Sequence, residues 1–424
     1  MEELRTHRNI LCIDLKSFYA SVECALRGLD PFETKLVVAD ESRGGGSIVL
    51  SVSPALKALG VPNVCRIFEI PKEIDNIVYA RPRMQTYLEF SAKVIEVYLS
   101  FVSEEDLYVY SVDECFLDVT SYLSYYKMTD YELAQAVLKK ITEELGLYAT
   151  VGIGPNMLIS KLALDIESKK ANDFIAKWSY DDLETKLWPI EELSKMWSIG
   201  KKTEIKLKSW GIQTIGDIAK RNVNFFKKRM GIIGEELWYH VHGIDLSKIQ
   251  DKYLFKRDPK SYGNSQVLFK DYFVPEIYTI ILEVVLEVVR RLRMTNKVCR
   301  TIHFGITYSK DYNSGFSRQI TLDNPTNSEK IIYEECRNIF FKYYDGVSPI
   351  RVVGLSLSKL SERNYYQYSL FADNELLEKE YKRNLAIDTV VNRYGKNAIT
   401  RASALEEHST VIARNKMVGG HNAK

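Results

Sequence analysis

Two hydrophobic periods divide this chain. Ile10-Leu11-Cys12-Ile13 is a short unbroken apolar run and reads as a buried strand. Tyr108–Val119 (YVYSVDECFLDV) reads as two extended segments with Asp113 and Glu114 side by side between them, because Tyr, Val, Phe and Leu at that density favour strands. Leu88, Ala92, Ile95, Leu99 and Val102 recur at helical spacing, as do Leu133, Val137, Ile141 and Leu145. Thr150–Ile153 adds a short buried strand and Met157–Ser168 a helix. Helix, hairpin, helix, strand, helix predicts helices on one face of a mainly antiparallel sheet.

The pattern changes on either side of this body. Residues 25–80 are rich in Gly and Pro, with a short strand at Ser47–Val52, and suit a small inserted lobe. Arg43-Gly44-Gly45-Gly46 lacks the frame of a phosphate loop and reads as a turn. Residues 173–244 read as all-helical. Ser198-Ile199-Gly200-Lys201-Lys202 followed by Lys208-Ser209-Trp210-Gly211-Ile212 has the form of a helix–hairpin–helix, whose Gly turn lets backbone amides approach a phosphate. Met230-Gly231-Ile232-Ile233-Gly234 is a weaker turn of the same kind. A polar stretch, Ser247–Lys260, reads as a linker. Strands at Ser265–Phe269, Arg300–Tyr308, Ser317–Leu322 and Val352–Leu357 then alternate with helices Ile277–Leu292 and Glu329–Tyr343, a compact module of two helices on a four-stranded sheet. The fold class is α+β, in several domains.

Composition narrows the partners. Net charge is only +2 over 424 residues, but its distribution is uneven. Lys195–Met230 holds ten Lys or Arg against two acids, and Arg290–Arg318 seven against one. Such patches attract phosphate backbones, although either alone is equally a solvated surface. Six scattered Cys and six His show no metal-ligand spacing, which points to a reducing compartment and a cytoplasmic protein. The N-terminus has no signal-peptide pattern, and Glu283 and Glu287 interrupt the longest apolar stretch, so no membrane span is expected.

The candidate chemistry lies in the acids. Neighbours on a straight strand point to opposite faces, so Asp113 and Glu114 can act together only at a turn or bulge. Gathered carboxylates repel unless a cation lies between them, and a hard divalent ion, magnesium first, suits oxygen donors. A lone Asp-Glu pair is otherwise a solvated hairpin tip. Asp14, ending the first apolar run, is either a helix cap or a third ligand. Three carboxylates at strand ends are able to hold two ions for an in-line displacement at phosphorus.

Asp14 with Phe18-Tyr19-Ala20-Ser21-Val22-Glu23, then Ser111-Val112-Asp113-Glu114, then Val151-Gly152-Ile153-Gly154 running into Lys161, resembles the Y-family DNA polymerases, and within them the bacterial UmuC-like, UV-repair branch. The resemblance follows the family's order over nearly the whole chain. It implies a right-hand polymerase: palm at 1–24 and 81–172, fingers at 25–80, a helical thumb at 173–246, a linker at 247–260, a little finger at 261–360 and a tail at 361–424.

By the same resemblance, Asp14, Asp113 and Glu114 are the catalytic carboxylates and, with the Leu15 carbonyl, hold two Mg2+ ions. Phe18, Tyr19, Ser51, Lys57 and Lys161 face the incoming deoxynucleoside triphosphate, and Tyr19 is the steric gate against a ribose 2′ hydroxyl. Lys57 and Pro54 stand where many relatives carry an Arg and a Tyr; Lys is a point charge rather than a planar fork, and Pro54 has no hydroxyl. Gly200, Lys201, Lys202, Arg300, Lys310 and Arg318 are candidates for primer–template DNA. Gln367, Leu370 and Phe371 resemble the peptide that binds the sliding clamp (the beta subunit), Gln fixing one end while Leu-Phe fills an apolar pocket. The implied activity is low-fidelity translesion synthesis in DNA repair and the SOS response. The alternatives are a catalytically inactive DNA- and clamp-binding protein on the same scaffold, against which the intact acids and Lys161 argue, and a two-metal nuclease, against which Tyr19 and Lys161 argue.

Overall fold

The computed structural model describes residues 1–253, 258–312, 314–363 and 374–423. It divides into two compact units, Met1–Lys256 with His421–Lys424, and Arg257–Gly420.

The first unit is built on a five-stranded sheet. In spatial order its strands are Leu107–Val109, Glu114–Asp118, Ile10–Leu15, Ala149–Gly154 and Ile175–Lys177. The first four are antiparallel and the last pairs in parallel. Ile10–Leu15 lies at the centre, with Asp14 opposite Glu114 on one side and Thr150 on the other.

Both faces of this sheet are covered. Leu11, Ile13, Leu117, Val151 and Ile153 pack against Tyr87 and Val94 of helix Met84–Leu99 and Leu133, Val137 and Ile141 of helix Asp130–Leu145. On the other face Ile10, Cys12 and Phe116 meet Met157 and Leu164 of helix Met157–Ile166. This corrects the expectation of helices on one face. The central strand is apolar at each of Ile10 to Ile13, so each face requires a cover. The third helix starts where the Asn156 side chain accepts from the Ile159 amide at 2.8 Å.

The lobe at 25–80 has its own three-stranded sheet, Ser51–Val52, Leu36–Val38 and Val78–Ala80, and its own core of Val37, Val49, Val52, Leu56 and Val61. Its strand is shorter than expected: Ile48 makes only an isolated bridge to Arg66. Residues 173–244 are not all-helical, because Ile175–Lys177 closes the edge of the main sheet. The helices Lys201–Ser209, Ile215–Lys220, Val223–Met230 and Ile232–Val241 follow, and their core (Leu207, Ile215, Phe226, Leu237) is continuous with Leu158 and Leu162. The start of the expected linker is also bound. Ile249 is buried with Ile10 and Cys12, and the Gln250 amide donates to Asp106 at 2.6 Å.

The second unit has a four-stranded antiparallel sheet, Phe316–Thr326, Lys297–Tyr308, Ile350–Glu362 and Ser261–Tyr272 in spatial order. The strands are longer than their apolar segments because their outer ends are polar and exposed. Helices Ile277–Met294 and Glu329–Tyr343 supply Ile281, Val285, Cys336 and Phe340 to a core with Phe304 and Leu355. Helix Asn374–Tyr394 is fixed by Asp388, which with Glu329 receives the buried Arg293 guanidinium at 2.7 to 3.1 Å. All six cysteines are unpaired and buried. Among the described residues no helix is long and apolar enough to cross a membrane.

Candidate active site

Asp14 stands near the end of the central strand and Asp113 on the turn that enters the adjacent one. That turn is closed by the amides of Tyr110 and Ser111, which both donate to the Glu114 carbonyl at 2.9 and 3.0 Å. The Leu15 amide donates to the Asp113 carbonyl at 2.9 Å, stitching the two acid-bearing segments together. The Asp113 carboxylate accepts from the Ser111 hydroxyl at 2.6 Å. All three sequence-expected carboxylates therefore lie at one end of the sheet.

They do not form a ready-made cage. Among the described residues no three acids, His or Cys converge closely enough to hold an ion as they stand. Glu114 is instead paired with Lys161 at 2.8 Å, and Asp14 with Lys169 at 3.3 Å. Asp165 bridges the two lysines at 3.1 and 2.8 Å. Crowded carboxylates require nearby positive charge, and here two ammonium groups supply it. Burial raises the Asp14 carboxyl above its ordinary range; Lys169 opposes this, and Asp113 and Glu114 add to it. Three oxygen-donor groups that repel one another suit a hard divalent cation in chemistry.

Lys161 is buried and held above the usual ammonium range: burial opposes its charge, and Cys12, Glu114 and Asp165 outweigh that. Asp165 and Lys169 were not singled out from the sequence. Their signal was a ladder at four-residue spacing, Lys161, Asp165, Lys169, the Lys–Asp spacing at which helical neighbours meet.

Phe18 and Tyr19 open helix Phe18–Ala25, Phe18 buried and Tyr19 half-buried. The Tyr19 ring stacks on Tyr87, with centroids 4.7 Å apart and planes 20° from parallel. Tyr87 in turn donates its hydroxyl to buried Glu23 at 2.8 Å, where Arg83 also donates two hydrogen bonds, at 3.0 and 2.7 Å. This support behind Tyr19 was not visible in the sequence. Ser51 is buried: its hydroxyl donates to the Ser17 carbonyl at 3.3 Å and accepts from the Ala20 amide at 3.4 Å, tying the inserted lobe to the Tyr19 helix. Pro54 occupies the first turn of helix Pro54–Ala58, where its missing N–H costs nothing, and Lys57 is exposed on that helix.

Gly200 caps helix Lys201–Ser209, and Gly200, Lys201 and Lys202 are exposed. In the second unit Arg300, Lys310 and Arg318 are exposed; Arg300 donates to the Leu322 carbonyl and Arg318 lies 4.6 Å over the Tyr343 ring. Gln367, Leu370 and Phe371 fall outside the described residues.

The impB/mucB/samB family model matches residues 13–165, its helix–hairpin–helix motif residues 180–212 and its C-terminal domain residues 259–370. The chain belongs to the impB/mucB/samB family. The first family segment spans Asp14, Asp113, Glu114 and Lys161. A relative from Bacillus subtilis (strain 168) with the name "Putative UV-damage repair protein UvrX" is 42% identical over 98% of this chain and 98% of its own. A second from the same organism, "DNA polymerase IV 2", is 34% identical over 97% of this chain and 98% of its own. The solved "Y-family DNA polymerase chimera Dbh-Dpo4(243-245)-Dbh" matches 84% of this chain and 99% of its own, with a TM-score of 0.64 and 20% identity, which places the fold with that polymerase architecture.

Proposed function

We propose that this chain is a DNA-directed DNA polymerase of the translesion type, extending a primer opposite damaged template. The observation that carries the reading is the pairing of Asp14 with Glu114 across adjacent strands, with Asp113 on the turn that enters the second of them. The full-length likeness to a protein named as a DNA polymerase supports it.

In this reading Asp14, Asp113 and Glu114, with the Leu15 carbonyl, would hold two divalent ions, magnesium by donor chemistry. Bound ions of this kind lower the pKa of an attacking hydroxyl and neutralise charge on phosphate oxygens. The chain's own groups do the rest. Lys161 balances Glu114 and fixes its carboxylate. Lys57 and, as the sequence resemblance implies, Lys161 face the triphosphate, with Phe18 and Ser51 beside the nucleotide. Tyr19, backed by Tyr87, closes the space beneath the sugar and excludes a 2′ hydroxyl. Gly200, Lys201 and Lys202, and separately Arg300, Lys310 and Arg318, hold the DNA backbone without reading bases. Gln367, Leu370 and Phe371 recruit the sliding clamp in the cytoplasm, on the strength of their sequence alone. The intact acids count against an inactive scaffold.

Magnesium-dependent primer extension on an undamaged template, wild type against Asp113→Ala, tests this. Extension by the wild type and none by the variant, with primed-DNA affinity within about threefold, is expected. Firm binding of primed DNA without extension by either protein, clamp included, would leave the scaffold reading.

A further inference from the structure

Lys16 follows the central strand, and its amide donates to the Tyr148 carbonyl at 2.8 Å, so its backbone is fixed two residues beyond Asp14. Its ammonium lies 4.3 Å from the centroid of the Phe174 ring. That ring is one wall of an aromatic group: Phe174 stacks with Phe32 at 6.1 Å, and Phe32 meets Tyr148 edge-on at 4.8 Å. Phe174 has φ +63°, a left-handed conformation that is strained for a bulky side chain. Strained backbone is therefore maintained where it seats the ring under an ammonium.

Four carboxylates (Asp14, Asp113, Glu114 and Asp165) and four lysines gather here, but their pairing is uneven. Lys161 and Lys169 are committed to carboxylates. Neither Lys16 nor Lys57 has a side-chain hydrogen bond or ion pair among the described residues. Lys57, though exposed on its helix, is lowered from its usual range, first by lost hydration and then by Lys169, with Asp14 and Asp113 opposing. Two ammonium groups without a carboxylate partner suit an anion carrying several charges along its length.

We propose that Lys16, seated on the Phe174 ring, is a further binding residue for the triphosphate of the incoming nucleotide, acting beside Lys57. The proposal rests on the polymerase reading and adds a residue to it. A cation on an aromatic face keeps its N–H groups free on the side away from the ring, where a phosphate oxygen takes them. The contact is sequence-independent, because all four triphosphates share the tail.

The test is steady-state single-nucleotide insertion by the full chain, wild type against Lys16→Met, Lys16→Arg and Phe174→Leu. Lys16→Met keeps the aliphatic stem and removes the charge. It is expected to raise KM for each of the four deoxynucleotides about tenfold, the loss of one charged hydrogen bond. Its kcat should stay within about threefold and its primed-DNA affinity within about twofold. Lys16→Arg should recover most of the KM, and Phe174→Leu should share part of the defect. Equilibrium binding of deoxynucleotide to the complex with a dideoxy-terminated primer should weaken in parallel. An unchanged KM and binding constant in Lys16→Met, with wild type active, would overturn the proposal and reduce Lys16 to a packing role. A wild type that neither extends a primer nor binds deoxynucleotide would overturn the polymerase reading itself.

Discussion

A methyl group at Gly152 should dislodge the helix that carries Lys161. A Cβ added there would lie 2.0 Å from the Ser160 carbonyl oxygen and 2.4 Å from the Leu164 amide nitrogen. Both are backbone atoms, so no side-chain rotation relieves them. Ordinary contact begins at 3.4 Å, so helix Met157–Ile166 must retreat by about 1.4 Å, the difference between 3.4 and 2.0 Å. Lys161 is the next residue after Ser160, and its ammonium lies 2.8 Å from Glu114. A retreat of that size along the pair takes it to about 4.2 Å, beyond ion-pair distance. Overpacking of this kind costs about 1–3 kcal/mol, and weakening a buried pair adds to it. The expected loss for Gly152→Ala is about 3 kcal/mol. All five tryptophans (Trp178, Trp188, Trp197, Trp210 and Trp238) belong to the first unit, so intrinsic fluorescence during urea unfolding reports that unit selectively. Gly46→Ala is the control, since a Cβ there meets nothing within 4 Å and its stability should stay within about 0.5 kcal/mol. A Gly152→Ala transition as close to wild type as that control would refute the seating of the helix on the strand.

Three further outcomes are expected. Glu23 is wholly buried; burial raises its carboxyl, but hydrogen bonds from Arg83, Arg27 and Tyr87 outweigh this and hold it below its ordinary value. A depressed carboxylate stabilises the fold above its unfolded pKa of about 4.3 and loses that contribution as pH falls through the folded value. Glu23→Gln should therefore cost about 3 kcal/mol at neutral pH by fluorescence-detected urea unfolding, with the gap to wild type narrowing in acid; a constant gap from pH 7 to 3 contradicts the ion-pair account. Tyr19→Ala should admit ribonucleotides, raising their insertion efficiency relative to deoxynucleotides by at least about a hundredfold in a gel assay, whereas an unchanged ratio would remove Tyr19 as the gate. Lys201→Ala with Lys202→Ala should weaken primed-DNA binding on any sequence and lower the slope of log affinity against log salt by about two; an unaltered slope excludes both from the interface.

The acids were legible because each interrupts an apolar run at its end, a pattern that survives any detail of packing. Their partnership was less so. The register that places Asp14 against Glu114 depends on the turn at residues 110–113, and no local preference specifies it. Cover on both faces was implicit in the four consecutive apolar residues Ile10–Ile13, a pattern that parallel and fully buried strands share. Ile175–Lys177 escaped notice because three residues carry no period, and it is a strand only by pairing with Val151–Ile153. Ile249 is a single apolar residue in a polar run, and its burial is a tertiary choice. The Tyr19–Tyr87–Glu23 relay joins a helix at the start of the chain to one some sixty residues on, a contact that composition cannot show.

Translesion synthesis by this chain is decided by running-start primer extension across a single abasic site with magnesium, the four deoxynucleotides and the full chain. Wild type should insert opposite the lesion and extend beyond it, and Asp14→Ala and Asp113→Ala should arrest at the primer end while still binding the DNA. Extension that proceeds on undamaged template but stops one nucleotide before the site would leave a polymerase and contradict the lesion-bypass reading.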